Sequence, residues 1–325
     1  MILEQPSVRF EAIHSILSSD GNILTVSELC ETAGVSRSGY YRWLSAAGAR
    51  EKREAQDRED FELILEAYRH RGYQKGARSI YMSLLHREPP VVMNVKKIRR
   101  LMDKYGLSCP IRKANPYRRM AKELRTSNVA DNLLKREFRK HGPRMILLTD
   151  ITYLPYNGVF AYLSTVLDAF TKQVLAYVTS PSLEVDFVLE TVDILIREHG
   201  AQLKTKTLLH SDQGCHYTSY SYIDLLKDSS LRQSMSRKGN CWDNAPQESF
   251  FGHMKDEIDI SGCQAFDEVK AVIDDWMDYY NNERYQWQLA RLSPNEYYQY
   301  IQTGVYPLPV DNIPSIPEFE EPEDN

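Results

Sequence analysis

Cysteine is scarce and unpatterned: Cys30, Cys109, Cys215, Cys241 and Cys263 are scattered along the chain with no C-x-x-C pair. That spacing argues against a structural zinc site and a disulfide framework, and it fits a reducing compartment. Long apolar runs are missing as well, since nothing approaches the roughly eighteen consecutive apolar residues that span a bilayer. The opening residues, MILEQPSVRFE, lack the basic head and apolar stretch of a secretion signal. The expectation is a soluble, cytoplasmic protein with no membrane partner.

Charge is abundant but unevenly divided. The formal net charge is −5, yet residues 1–140 hold 27 Lys+Arg against 17 Asp+Glu, and residues 141–325 hold 13 against 28. Residues 69–140 alone carry 20 basic and 5 acidic side chains. So dense a block reads as a grip for DNA, with a merely solvated basic face as the competing reading. The acidic remainder repels a duplex unless cations neutralise its carboxylates; the tail from Asp311 supplies six of those negative charges.

A chain of 325 residues is expected to form two or three domains. In TVSELCETAGVSRSGYYRWL, Ser27 is the expected cap of one helix, Gly34 supplies the turn, and Ser36 caps a second helix ending near Trp43. Val26, Leu29, Val35, Tyr40 and Trp43 form the candidate apolar face, and Arg37, Ser38 and Arg42 face DNA if this helix-turn-helix is not a protein-binding module. AREKREAQDREDFE reads as an exposed connecting helix. A further helix through Leu85 stops before Pro89 and Pro90, and Asn94 caps the next. There Val95, Ile98, Leu101, Met102 and Tyr105 share one face, while Lys96, Lys97, Arg100 and Lys104 fall mostly on the other and suit a phosphate backbone.

The expected partition runs as follows: a helix-turn-helix module over 1–48, a connecting helix and second module over 49–110, a basic linker over 111–141, a core with C-terminal helices over 142–302, and an acidic proline-rich tail over 303–325. Linker and tail compositions favour disorder, the linker ordering on DNA. Its aromatics Tyr117 and Phe138 are assigned to packing ahead of base stacking. In the core, strands are expected at about 145–149, 160–167, 173–179, 206–210 and 231–235, and helices at about 183–198, 218–228 and 245–258. Three strands before the first helix imply a meander, and the later strand-helix repeats imply parallel additions, an α/β arrangement. Trp276, Tyr279, Tyr280 and Trp287 are assigned to packing, and Ser293 to Glu296 form a capping box.

Three carboxylates stand out. Asp150 closes MILLTD, Asp212 closes KTLLHSD, and Glu248 lies in DNAPQESFFGHMK. Each aspartate ends an apolar run that reads as a buried strand, while the glutamate sits in helical spacing. Thirty-five residues separate Asp212 from Glu248, and Lys255 follows two turns later on the glutamate's face, placed to hold a phosphate. Oxygen donors without histidine or cysteine suit Mg²⁺ or Mn²⁺, and two such ions are the usual device for in-line displacement at a phosphodiester.

Asp168 also ends an apolar run and is read as a turn residue. Asp243 or Asn244 can cap the glutamate helix, and Asn244, four residues before Glu248 on the same face, is also a candidate DNA contact. Arg237, Lys238 and Gly239 give the preceding loop charge and freedom, either to close over DNA or as an ordinary polar connection. His210, Ser211 and His216 offer a nucleophile pattern, but a covalent serine mechanism has no use for three carboxylates, and His210 is assigned to packing or phosphate binding.

The motifs LLTDITYLP, HSDQGCHYTS and GNCWDNAPQESFFGHMKDE, within roughly residues 60 to 300, resemble the transposases of the "IS three" insertion-sequence family in their second-reading-frame form. These belong to the retroviral-integrase-like superfamily with an Asp, Asp, thirty-five, Glu signature. The resemblance implies a ribonuclease-H-like core, a mixed five-stranded sheet with flanking helices, preceded by helix-turn-helix modules. Its first and fourth strands are then parallel neighbours that bring Asp150 and Asp212 together. It further implies two metal ions held by Asp150, Asp212 and Glu248, cleavage at transposon ends, and transfer of the freed 3′-hydroxyl into target DNA. Homo-oligomers on DNA, association with the nucleoid and an upstream reading-frame product as partner follow from the same likeness.

Two features depart from the pattern. There is no His and Cys zinc module of the retroviral kind, and ERYQWQLARLSP replaces the usual arginine-rich stretch. The competing functions are a catalytically inactive helix-turn-helix regulator and a simple nuclease of the same fold.

Overall fold

The computed structural model describes residues 5–73, 75–109, 130–134, 138, 140–203, 206–236 and 244–320. Most of the basic linker, including Tyr117, and the loop residues Arg237, Lys238, Gly239 and Asp243 therefore lie outside the described residues. The chain divides into two compact units, Met1–Glu66 and Ala67–Asn325.

The first unit contains α1 (Pro6–Leu17), α2 (Val26–Thr32), α3 (Arg37–Ser45) and most of α4 (Ala47–Arg69). Thr25, not Ser27, caps α2: its hydroxyl accepts the Glu28 N–H at 3.3 Å while Glu28 accepts the Thr25 N–H at 2.8 Å. Only Thr25 has an acid three residues on, which the reciprocal box requires; Ser27 has Cys30 there. Ser36 caps α3 as expected, accepting the Gly39 N–H at 3.1 Å. Gly34 makes the turn at φ +64°, a conformation that costs glycine little. Ile13, Leu29, Cys30 and Tyr40 are buried at the centre of this unit, with Val26, Val35 and Trp43 packed around them. The sequence reading did not include α1, whose stretch PSVRFEAIHSIL has only weak apolar periodicity.

In the second unit, α5 (Ala77–Leu85) and α6 (Val95–Lys104) bury Ile80, Leu84, Leu85, Ile98, Leu101 and Met102. Asn94 caps α6 by accepting the Lys96 N–H at 2.8 Å. Lys96, Arg100 and Lys104 are exposed and Lys97 is half-buried. The segment around these helices is bound to residues 275–285. Arg71 pairs with Asp275 at 3.1 Å, Asp278 at 2.9 Å and also Glu283, and the His86 ring stacks on Tyr285 at 3.5 Å.

The core sheet comprises β1 (Ile146–Tyr156), β2 (Val159–Asp168), β3 (Val174–Ser180), β4 (Leu208–Ser211) and β5 (Arg232–Met235), in the order β3-β2-β1-β4-β5. The first three strands are an antiparallel meander, and β4 and β5 add in parallel, with Leu148 opposite His210 and His210 opposite Ser234. This is the mixed five-stranded sheet that the resemblance implies. On one face, α7 (Asp186–His199) and α8 (Tyr220–Asp228) bury Val188, Val192, Leu195, Tyr222 and Leu226 against Leu147, Val166 and Leu209. On the other, α9 (Ala245–Glu257) and α10 (Phe266–Asn282) bury Phe250, Met254, Ile273 and Trp276 against Leu154, Leu163 and Leu167. The last helix, α11 (Pro294–Thr303), begins at the expected capping box of Ser293 and Glu296. No helix among the described residues is long and apolar enough to cross a membrane.

Several expectations need correction. β1 does not stop at residue 149: it continues through Asp150 to Tyr156, with Thr152 and Leu154 buried and Tyr153 and Pro155 exposed. Pro155 is tolerated because it lies beyond the last β4 partner, on a strand edge where its missing N–H costs no ladder bond. The tail is not disordered throughout. Leu308 is buried, Tyr300 donates its hydroxyl to the Pro314 carbonyl at a short distance, and the Phe319 ring meets Phe170 edge-on at 5.4 Å. Its apolar residues Leu308, Ile316 and Phe319, spaced among prolines, show no helical or strand period. Trp276, Tyr279 and Tyr280 are buried as expected, while Trp287 is half-exposed.

Candidate active site

Parallel pairing of β1 with β4 ends at Leu148 and His210, and each aspartate lies two residues further on: Asp150 still within β1, Asp212 in the loop that leaves β4. The sheet thus sets two carboxylates side by side at one end of adjacent parallel strands, where open α/β sheets place their ligands. Asp150 accepts the Ile151 N–H at 2.8 Å on one oxygen and the Asn244 side-chain amide at 3.4 Å on the other. Asp212 accepts the Gly214 N–H at 2.9 Å. A β-carbon at position 214 would come within 2.9 Å of that Asp212 oxygen, so any larger residue there displaces the Asp212 carboxylate.

Burial pushes the Asp150 carboxyl well above the usual carboxylate range, and the charges of Asp212 and Glu248 add to the effect; the Ile151 N–H and Lys255 oppose it. Asp212 is also raised by burial, against the Gly214 N–H and His216. Tyr217, 1% exposed, is pushed far above the ordinary phenol range by burial and then by the charges of Asp150 and Asp212. Two half-buried carboxylates whose charges act on one another favour a shared proton or a cation between them.

Glu248 lies in the first turn of α9, where the helix dipole favours a carboxylate, and its side chain is exposed. Among the described residues, no three His, Cys, Asp or Glu side chains form a ready-made metal cage. The close pair is Asp150 and Asp212, with Glu248 and Lys255 within charge reach of Asp150. Asn244, at the N-cap of α9, does not cap with its side chain; it is 4% exposed and binds Asp150 instead. Its amide oxygen is buried with no partner among the described residues.

One contact was not foreseen. Gln247, fully buried, donates its amide to the hydroxyl of Thr165, the residue opposite Asp150 in the β1–β2 ladder. Glutamine beside the conspicuous Glu248 gave no sign of its own, because facing Thr165 depends on how α9 packs on the sheet.

The serine-histidine alternative finds no support in the geometry. His210 is fully buried, with its ring nitrogens 2.9 Å from Ser234 Oγ and 3.0 Å from Ser236 Oγ. Ser211 donates to the Asp212 carbonyl, and His216 Nε2 lies 3.1 Å from the Leu183 carbonyl. Asp168 is the turn residue expected: it accepts the N–H groups of Arg144, Phe170 and Thr171 at 3.0, 2.8 and 3.3 Å, and pairs with the Arg144 guanidinium at 2.9 Å. A cavity of about 190 Å³ lies elsewhere, lined by Tyr73, Lys75, Glu257 and Arg284 among others. Its charges are matched internally: Arg284 holds Glu257 at 2.7 Å, and Lys75 donates to the His70 carbonyl at 2.7 Å.

Integrase core domain families match residues 140–241 and 229–294, and an HTH-like domain family matches residues 55–115. The putative transposase InsK for insertion sequence element IS150 of Escherichia coli is 33% identical over 273 residues, which is 84% of this chain and 93% of that protein. The chain belongs to the IS3 family of insertion-sequence transposases. InsF for insertion sequence IS3A of E. coli is 28% identical over 278 residues, covering 84% of this transposase and 93% of its relative. An uncharacterized transposase-like protein of Haemophilus influenzae is 36% identical over 211 residues, 64% of this chain and 94% of its own. The transposase is thus a DDE-type polynucleotidyl transferase that acts on DNA.

Proposed function

We propose that Asp150, Asp212 and Glu248 are the catalytic carboxylates of DNA strand cleavage and strand transfer at insertion-sequence ends. The observation that carries this reading is the placement of Asp150 and Asp212 two residues past the last β1–β4 rung, with the charge of Glu248 reaching Asp150. The donor set fits a hard divalent cation, because all three groups are carboxylates, two are half-buried at adjacent strand ends, and the Asn244 oxygen beside them has no partner among the described residues. When bound by Asp150, Asp212 and Glu248, Mg²⁺ or Mn²⁺, as two ions, supplies charge neutralisation at the phosphodiester and a more acidic attacking hydroxyl.

The protein's own groups orient the reaction. Water, or a DNA 3′-hydroxyl, attacks phosphorus in line; the P–O bond to the departing 3′-oxygen breaks, and that oxygen leaves with the electron pair. Asn244 holds the Asp150 carboxylate in place, and Gln247 pins α9 to β2 so that Glu248 enters from a fixed direction. Lys255 puts a positive charge next to Asp150 that suits a non-bridging phosphate oxygen. Lys96, Lys97 and Arg100 on α6, Arg37 and Arg42 on α3, and Arg237 and Lys238 before α9 are the further proposed DNA contacts. The working unit is a homo-oligomer joining two ends, with an upstream reading-frame product as an additional partner.

Incubation of the full chain with labelled terminal duplex, Mg²⁺ and target DNA tests the reading. Joined products are expected, and they disappear in Asp150→Asn while DNA binding persists. Cut but unjoined DNA indicates a nuclease, and undiminished joining by Asp150→Asn overturns the assignment.

A further inference from the structure

Beside the carboxylates an aromatic ledge faces solvent. Tyr153 is 48% exposed and Phe160 50%, although both belong to regular strands. Tyr153 lies opposite Tyr162 across the β1–β2 ladder, and the two rings meet edge-on at 5.3 Å; Tyr153 and Phe160 meet edge-on at 6.3 Å. Core packing does not account for them, because neither Tyr153 nor Phe160 enters a buried cluster.

The hairpin that carries the ledge is stiff. Its two-residue turn places Asn157 at φ +41° and Gly158 at φ +75°, the mirror-image geometry that suits strand twist, and the Asn157 amide donates to the Gln264 carbonyl at 3.3 Å. β4 leaves β1 after Leu148, whereas β2 stays paired with β1 to Tyr156. From Asp150 onward the hairpin therefore projects past β4. Along an extended strand, three residues from Asp150 to Tyr153 span roughly 10 Å, and their odd separation turns the Tyr153 ring to the sheet face opposite the Asp150 carboxylate; a DNA strand reaches both by crossing the edge of β1 that β4 leaves open beyond Leu148, a path of about three nucleotides. The charges of Asp212 and Asp150 reach the Tyr153 phenol, adding to burial, the larger effect, in raising it.

We propose that Tyr153 and Phe160 form a stacking ledge that receives an unpaired DNA base within about three nucleotides of the phosphodiester attacked at Asp150 and Asp212. The ligand is an unpaired base because a ring standing out from a sheet meets a base face only when that base has left the duplex stack. Pre-ordering of the hairpin backbone lowers the cost of arranging the rings on binding. This proposal rests on the strand-transfer reading above.

The test uses the full chain and terminal DNA carrying 5-iododeoxyuridine, in turn, at each nucleotide flanking the cleaved bond. Illumination of the complex is expected to give an adduct that maps to Tyr153 or Phe160. Tyr153→Ala with Phe160→Ala removes the adduct and lowers joining efficiency by about tenfold or more, whereas Tyr153→Phe keeps joining near wild type. Absence of any adduct between residues 153 and 162, or unchanged joining in the double variant, overturns the ledge while wild-type joining leaves the assigned function standing. Absence of joining by wild-type protein overturns both.

Discussion

Gln247 donates its side-chain amide to the hydroxyl of Thr165, which faces Asp150 across the β1–β2 ladder. A buried side-chain bond thereby couples the helix that carries Glu248 to the strand pair that carries Asp150. The contact sets the direction from which the third carboxylate approaches the other two.

Replacing Gln247 with Leu removes the bond and leaves the Thr165 hydroxyl buried without it, at a cost of about 1–3 kcal/mol. The expected outcome is a lower urea midpoint, together with strand joining that needs more Mg²⁺ to reach its maximum. Because Gln247 touches no reacting atom, terminal-DNA affinity should stay within about twofold of wild type. A variant with wild-type Mg²⁺ dependence and stability would show that the contact positions nothing.

Arg144 and Asp168 make a structural ion pair, with side chains 5% and 0% exposed and Gln173 accepting from the same guanidinium at 2.8 Å. Removing one partner of such a pair strands the other charge, so Arg144→Met is expected to lose about 3–5 kcal/mol in chemical denaturation. The folded fraction should retain its joining rate, because Asp168 serves the β2–β3 turn. A loss of chemistry in fully folded protein would instead place this pair in the active site.

The pH dependence follows from the raised Asp150 carboxyl. Native protein binds this proton more tightly than the unfolded chain, so the contribution of Asp150 to stability is greatest at low pH and declines as pH rises from about 4 through the native value. Asp150→Asn relieves that burden. Without divalent ions at pH 7 it should melt above wild type, by roughly 2–4 °C for each kcal/mol gained, with the gap closing toward pH 4 or on addition of Mg²⁺. A variant that melts below wild type at every pH would contradict the electrostatic account.

Phe319 sits against Gly142 and Phe170, and the Glu320 N–H donates to the Lys140 carbonyl at 2.8 Å, so the last described residues are tied to the entry of β1. Truncation after Val310 should lower the melting temperature by several degrees, as expected from losing about 1–3 kcal/mol of apolar packing. An unchanged melting curve would mean the tail contributes no stability.

The sheet and the aspartates were legible because buried strands and their terminal polar residues carry local patterns, as in MILLTD and KTLLHSD. Other features were not. The continuation of β1 past Asp150 was hidden by Pro155, whose tolerance depends on where β4 ends. The burial of Arg144, at φ +64°, carries no local signal, because its partner Asp168 lies in a turn distant in sequence. The tail's apolar residues had no period to betray their packing. Each of these depends on contacts between residues far apart in sequence.

The central claim is tested most directly by single-turnover strand-joining rates for Asp150→Asn, Asp212→Asn, Glu248→Gln and Asp168→Asn, measured with Mg²⁺ on the same terminal duplex and normalised to folded protein. The account expects the first three to fall by about a thousandfold or more, as for loss of groups that act as a unit, and Asp168→Asn to join at near the wild-type rate. Near-wild-type joining by any of the first three, or an equal collapse in Asp168→Asn, would contradict it.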